Sequence, residues 1–592
     1  MSDRAAYLRA AAELRGNAGQ WAAYESRSHC VVLAGPGSGK TKTLTTKMAR
    51  MLAEDVAEPR GVACITYNNE CARELEARLA TLGVKPDGRV FVGTVHSFSL
   101  TQIILPYAKV AGLGLPDDFE VATRAERQAA LSDAVRRTMD YAGNAQDWEF
   151  RLANYRRSIL NRDSPSWRET DPELASLVEA YEAELRVRGL IDFDDMPLLA
   201  VLALREKPWL QRALLAKYPV LIVDEYQDLG LALHRMVMGL CFSAGMRLFA
   251  VGDADQSIYG FNGARPELLR RLSEREDVET VRLRLNYRSG TRIIAASSVA
   301  LGEERGYEAA EGAPQGTVFI YPLQGAYSPQ ARHLIANLLP QAMTRHPALR
   351  YGDVAVLYPA AWIGDSVADA ARQAGVPVVR TDGNALYPRA SRLMQWIELC
   401  AQWCCGGWRT GDPRFSRLVA EGRRLFAESI RSENQVADFH RHLIAALWSA
   451  RDARLLLHPW IVNLKASLIT PFSAGCVALR DEMDTLVAFV ERTSPEGDCA
   501  DMLLGEMAGD GGHLDRLTLS TLHSAKGREF VVVFLFGMDA GRLPRNDAVG
   551  QQFAEARRLF YVGFTRAKSE VHLIHTAGRA SMFVDEVEKH LR

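Results

Sequence analysis

Two rhythms alternate along the chain. Short apolar runs rich in β-branched residues come first: "CVVLA" (30–34), "GVACIT" (61–66), "RVFVGT" (89–94), "PVLIVDE" (219–225) and "RLFAVGD" (247–253). None of them alternates apolar with polar. A strand that buries one face alternates, whereas a strand covered on both faces reads as a continuous hydrophobic run, the mark of a parallel sheet between helices. Between 97 and 215 the pattern lengthens into charged helical stretches such as "YEAELRVRGLIDFDD". A second series follows in "TVFIY" (317–321), "DVAVLY" (353–358), "RLTLSTL" (516–522), "FVVVFLF" (530–536) and "EVHLIH" (570–575), interrupted by helical sequence over about 387–510. The pattern predicts an α/β fold with two parallel-sheet cores, each split by a mostly helical insertion. The first core is expected over 1–96 and 216–280 with its insertion at 97–215, and the second over 281–386 and 511–592 with a short insertion at 387–510.

Composition changes this picture little. The 592 residues exceed what one core holds, and 48% hydrophobic with 24% charged residues is ordinary for a globular chain. The net charge of −1 advertises no global nucleic-acid field, although a basic groove can be offset by acidic surface elsewhere. Arginine outnumbers lysine, which fits phosphate recognition and genomic bias equally. The nine cysteines form no CxxC pair, and Cys400, Cys404 and Cys405 lack zinc-site spacing, so they read as free thiols in helical core. A reducing cytoplasm is the expected compartment. The polar opening "MSDRAAYLRAAAELRG" lacks the apolar core of a signal peptide, and the run Phe530 to Phe536 is too short to span a bilayer, so no membrane partner is expected.

Chemistry enters at "VVLAGPGSGKTKTL", which follows a strand and precedes a helix as a P-loop does, with Ala34 where the first glycine of the pattern usually stands. Gly35, Gly37 and Gly39 let backbone N–H groups, Ser38 included, wrap a phosphate. Lys40 can reach the β- and γ-phosphates and the Thr41 hydroxyl can ligate Mg²⁺. In "LIVDEYQD", Asp224 stands at a strand end, where it suits Mg²⁺, and Glu225 beside it can activate water. Alone, such a pair caps helices as often as it does chemistry; after a P-loop it points to ATP hydrolysis. "DFDDM" (192–196) reads as either a paired-carboxylate metal site or a structural turn.

Further motifs carry a resemblance. "GDADQSIYG" (252–260), "LRLNYRS" (283–289), "TLHSAKGREF" (521–530) and "RRLFYVGFTRAK" (557–568), with the two motifs above, resemble the UvrD/Rep family of superfamily 1 helicases over nearly the whole chain. The resemblance implies two RecA-like cores, with ATP and Mg²⁺ as cofactors and single-stranded or tailed duplex DNA as partner. It implies that Gln20 reads adenine, with Lys42 near the base, Tyr287 stacking on it, and Glu529 on the ribose side. Gln256 would sense the γ-phosphate, Arg288 would reach it, and Arg566 would be an arginine finger. It makes the Asp-Phe motif at 192–196 a structural return to the core.

For DNA, the resemblance implies Thr66, Tyr67 and Asn68 in "CITYNNECA", Thr94 and His96 in "VGTVHSF", His523, and Tyr259, Phe261 and Asn262 in the loop "VGDADQSIYGFNGA". Aromatic rings that stack without reading sequence suit a translocase. Lone histidines are as a rule structural, and the tryptophans 403, 408, 448 and 460 read as helical core before DNA platform. Five residues depart from the family pattern: Glu70 for lysine, Phe261-Asn262 for Trp-Arg, Leu285 for glutamine and Arg528 for an apolar residue. The implied function is a 3′→5′ DNA helicase and translocase, monomeric or weakly self-associating. The alternatives are a DNA-dependent ATPase subunit of a larger DNA-processing complex with weak unwinding, and an RNA-directed ATPase. With 26 residues after Arg566 in this sequence, neither the nuclease domain nor the partner-binding tail of longer relatives is expected.

Overall fold

The structure, a computed structural model, describes residues 2–84, 88–139, 143–476, 479–509 and 515–592. The chain divides into two compact units, Met1–Pro314 with Val549–Tyr561, and Gln315–Ala548 with Val562–Arg592.

The first unit carries six strands, β1 (His29–Ala34), β2 (Val62–Thr66), β3 (Val90–Thr94), β4 (Val220–Val223), β5 (Arg247–Gly252) and β6 (Val278–Leu283). Their order is β3-β2-β4-β5-β1-β6, and every pairing is parallel. Successive side chains go to opposite faces, as the strand period requires. Val31, Ala63, Leu221 and Leu248 join one hydrophobic cluster, while their neighbours Val32, Cys64, Ile222 and Phe249 join the other. Both faces are thus covered, which is why these runs show no polar alternation. β6 differs. It is an edge strand that pairs only with β1 in this sheet, and Glu279 and Arg282 are exposed, so its run is broken by charge. The core boundary expected at 280/281 falls inside it and is corrected by that pairing. Residues 549–561, expected in the second core, group with the first unit.

Within the first insertion, helices Arg124–Thr138, Glu149–Ser158 and Pro172–Val187 pack around the buried Trp167. "DFDDM" is a structural knot. Asp192 and Asp195 accept from each other's backbone N–H at 2.8 and 3.0 Å, and the buried Arg156 donates to Asp192 at 2.6 Å and to Asp195 at 2.8 Å. The Arg156 and Arg186 guanidiniums supply the positive charge that faces the two carboxylates.

The second unit holds β7 (Thr317–Leu323), β8 (Val354–Tyr358), β9 (Val378–Arg380), β10 (Leu517–Thr521), β11 (Phe530–Phe536) and β12 (Ala567–Thr576). They form a parallel sheet in the order β7-β12-β11-β8-β10-β9. Its helical insertion has one core containing Trp396, Trp403, Phe439, Trp460, Cys400 and Cys404. Trp448 departs from the expected core placement: it is 54% exposed, with the Arg451 guanidinium 3.5 Å from its ring centroid. The boundary expected at 510/511 lies outside the described residues. Among the described residues no helix is long and apolar enough to cross a membrane.

Candidate nucleotide site and nucleic-acid interface

In an open parallel sheet, ligands meet the carboxyl ends of the strands. β1 ends there in the glycine loop. Gly37 and Gly39 take left-handed φ of 68° and 80°, a region L side chains rarely enter, and helix Lys40–Arg50 follows with its first amides aimed at the loop. A Cβ on Gly39 would lie 2.4 Å from Gln20 Nε2, and that amide donates to Ser38 O at 2.9 Å. Asn17 positions Gln20 by accepting from its N–H at 3.0 Å, and its own Nδ2 donates to the Tyr287 hydroxyl at 3.0 Å. The Tyr287 ring is 51% exposed, as a stacking surface must be, and its N–H donates to Gly37 O at 2.8 Å. Asn286 Oδ1 accepts from the N–H groups of Arg288 and Ser289 at 2.7 and 3.0 Å. Gln20, the glycine loop, Tyr287 and Arg288 therefore come together. Lys42 instead pairs with Glu13 at 2.6 Å on the surface.

The acidic side of the site is built on the ends of β4 and β5. Glu225 is the one non-glycine residue with positive φ (49°) among those described, a backbone state that costs about 1–2 kcal/mol and that marks functional sites. Its carboxylate lies 3.9 Å from Lys40 Nζ. Burial, then the neighbouring Glu225 charge, pushes the Asp224 carboxyl up to about 7 against the pull of Lys40. Burial likewise raises Asp253 to about 6. Gln256 Nε2 donates to Asp253 Oδ2 at 2.5 Å. Gln227, passed over in the sequence although it stands inside "DEYQD", joins the two strand ends. Its Nε2 donates to Glu225, and its Oε1 accepts from Asp253 N at 2.9 Å.

The segment continues from Gln256 into an aromatic corner. Tyr259 stacks on Tyr67 (centroids 4.7 Å, 17° between planes) and meets Phe261 edge-on at 6.1 Å. One face of Tyr259 is thereby occupied, whereas Phe261 is 44% exposed. The Asn262 side chain lies beside the Tyr67 hydroxyl. Alongside lies a cavity of about 360 Å³ lined by Tyr67, Asn68, His96, Arg157, Asp194 and Asn262. Asn68 and Thr94 cap the helices that follow them, accepting from Cys71 N at 2.8 Å and Ser97 N at 3.2 Å. Burial holds the His96 imidazole below its usual range, and its ring packs edge-on against Phe193, 5.8 Å away. Thr66 corrects the expectation. It is fully buried in β2 and its hydroxyl has no partner, so it offers no surface to a strand.

Comparison with known proteins gives the family of the chain. Residues 16–277 match the UvrD/REP helicase N-terminal domain and residues 480–578 the UvrD-like helicase C-terminal domain. The chain belongs to the UvrD/Rep family of superfamily 1 helicases. It is 26% identical to the ATP-dependent DNA helicase Rep of Escherichia coli (strain K12) over 94% of this chain and 90% of that protein. It is 27% identical to the ATP-dependent DNA helicase PcrA of Leuconostoc citreum over 93% of this chain and 80% of the relative, and 26% identical to the E. coli DNA helicase II over 93% and 83%. The α/β fold with two parallel sheets is that expected of the family.

The UvrD/Rep motifs of the second unit are placed as follows. Arg566 Nε donates to Val562 O at 2.9 Å and Nη1 to Arg528 O at 3.3 Å. Glu529 pairs with Lys568 at 2.8 Å, and burial lowers the pKa of His523. Of the departures from the family pattern, Arg528 lies over the Phe530 ring, 5.1 Å from its centroid, and donates to Thr518 Oγ1 at 3.2 Å. Glu70 stands exposed in the first turn of helix Asn69–Thr81, where a negative side chain complements the helix dipole.

Proposed function

We propose that this chain is an ATP-dependent DNA helicase that moves 3′→5′ along single-stranded DNA. The observation that carries the reading is the continuity from nucleotide to rings. Lys40 faces Glu225, Gln227 ties Glu225 to Asp253, Gln256 hydrogen-bonds Asp253, and the same loop presents Phe261. A rearrangement at the phosphates thus reaches the aromatic corner through hydrogen-bonded neighbours. The names of the relatives, all DNA helicases, and the family support the same reading.

In this reading Gln20 meets the adenine edge and Tyr287 stacks on the ring, while the amides of Gly35 to Gly39 and the Lys40 ammonium hold the phosphates. Glu225, held close to Lys40 by its strained backbone, takes the proton of the attacking water. Arg288 neutralises charge on the γ-phosphate, with Gln256 sensing its presence. Thr41 and Asp224 would hold Mg²⁺, which supplies charge neutralisation across the phosphate oxygens. The raised Asp224 pKa fits that role, because Asp224 is buried beside the Glu225 charge and Lys40 offsets it only in part. Arg566 is assigned as the arginine finger; it must first leave the carbonyls of Val562 and Arg528. Phe261 and the edges of Tyr67, Tyr259, Asn68, His96 and Asn262 hold the strand in unit 1, with His523 assigned to it from unit 2.

The test is strand separation on 3′-tailed, 5′-tailed and blunt duplexes with ATP. The reading expects unwinding from the 3′ tail alone. Unwinding from the 5′ tail alone would overturn the polarity, and ATP turnover stimulated by single strands without unwinding on any duplex would replace the helicase with a DNA-dependent ATPase.

A further inference from the structure

The start of helix Gln551–Phe564 holds two side chains that no part of the mechanism above uses. Glu555 Oε1 accepts from Gly260 N at 3.2 Å. Arg558, one turn further on, donates from Nε to Ser257 O at 2.7 Å. The two side chains bracket the loop Ser257–Phe261 from one helix face, and both belong to the first unit with the loop they hold. The fit is close: a Cβ on Gly260 would lie 2.7 Å from Glu555 Oε2, so glycine at this place lets the carboxylate reach the backbone. The far side of the loop is tied as well, since Ser257 Oγ donates to Gln227 O at 3.1 Å, and Gln227 is the residue that joins Glu225 to Asp253.

The loop is also held by its own turn, with Asn262 N–H and Ala264 N–H donating to Tyr259 O at 2.8 and 3.2 Å, and by the stack of Tyr259 on Tyr67. Gly260 and Gly263 flank Phe261, and Gly263 takes a left-handed φ of 86°. Such a backbone has many alternatives, and a carboxylate that accepts from the Gly260 amide removes some of them. A residue distant in sequence therefore helps to set the attitude of Phe261 toward a base. Helix Gln551–Phe564 ends two residues before Arg566, so the bracket stands on the segment that leads in sequence to the assigned finger.

We propose that Glu555 and Arg558 are positioning residues for strand grip: by holding Gly260 and Ser257 they set the Tyr259–Phe261 corner against single-stranded DNA. The inference rests on the assignment of Phe261 as a strand contact. It goes beyond that assignment by naming what fixes the contact.

The experiment is a double-mutant cycle on the full chain. Affinity for a labelled oligo(dT) is read by fluorescence anisotropy, alongside ATP turnover without DNA and thermal melting. Loss of a stacked base predicts at least about fivefold weaker binding for Phe261→Ala. Glu555→Ala is expected to weaken binding about 3- to 10-fold while kcat and KM for ATP without DNA stay within about twofold, a split that general destabilisation would not produce. The double variant binds no more weakly than Phe261→Ala alone, because residues that act through one contact are not additive. Glu555→Gln keeps an acceptor oxygen and recovers part of the loss, and Arg558→Ala moves affinity in the same direction as Glu555→Ala. If Glu555→Ala melts early, Glu555→Gln with Phe261→Ala gives the same cycle. Wild-type affinity in the Glu555 variants, or additive losses in the double, overturns the proposal while Phe261 stands. Wild-type affinity in Phe261→Ala removes the strand contact and the proposal with it.

Discussion

Asn17 makes two bonds that can be separated by one substitution. Its Oδ1 caps helix Ala18–Glu25 by accepting from Gln20 N, and its Nδ2 donates to the Tyr287 hydroxyl, each at 3.0 Å. Serine caps a helix about as well as asparagine, so Asn17→Ser keeps the first bond and loses the second. A neutral hydrogen bond contributes about 0.5–1.5 kcal/mol net, or roughly 2- to 13-fold in an equilibrium constant. The Asn17–Tyr287 bond is half-buried, which places the expected weakening of ATP binding in the lower half of that range. Tyr287→Phe removes the same bond from the other partner and keeps the stacking ring. Asn17→Ala loses both bonds and adds a capping loss of about 1 kcal/mol, visible in thermal unfolding. The assay is ATP affinity from a fluorescent analogue, with steady-state KM beside it, for Asn17→Ser, Tyr287→Phe and the pair. The pair should be no weaker than either single variant. Wild-type affinity in both singles, or additive losses in the pair, would refute the argument that Asn17 acts on adenine binding through Tyr287.

Other predictions follow from the same contacts. Lys40→Ala and Glu225→Gln should each lower ATP turnover by at least about 100-fold while single-strand affinity, read by anisotropy, changes little; turnover near wild type in either would displace the proposed site. Arg156→Leu leaves the buried Asp192 without its cation and Asp195 with Arg186 alone, and should destabilise the first insertion by about 3–5 kcal/mol, read as an early unfolding transition in calorimetry; an unchanged profile would mean the knot contributes nothing. Asn262→Arg adds a cation beside Tyr67 and should tighten single-strand binding and steepen the slope of log K against log salt by about 0.7, whereas an unchanged slope places residue 262 off the strand.

Much of the fold was legible in the chain because the strands of a two-face-covered sheet are written as unbroken apolar runs. Val62–Thr66 and Val220–Val223 are buried at every position and needed no partner to be recognised. Val278–Leu283 was harder because an edge strand exposes Glu279 and Arg282, and their charges resemble those of a surface turn. The P-loop, Asp224 and Glu225 were readable because phosphate chemistry constrains residues close together in sequence. The contacts that orient the site were not, since they join residues far apart: Asn17 to Tyr287, and Glu555 to Gly260. Nor does a motif say which way its residues face. Thr66 and Tyr67 are neighbours in one motif, yet the first is sealed in the sheet and the second stacks on Tyr259 at the surface corner. Trp448 illustrates the same limit, because helical spacing does not distinguish a core tryptophan from one that lies under an arginine at the surface.

The central claim is that ATP turnover and strand grip are joined through the loop from Asp253 to Asn262. The most direct measurement is steady-state ATP hydrolysis by the full chain with Mg²⁺, titrated with single-stranded DNA. The account predicts a low basal rate that rises to saturation with DNA in the wild type and a Phe261→Ala variant that needs more DNA for half-maximal stimulation. A rate indifferent to single-stranded DNA would contradict it.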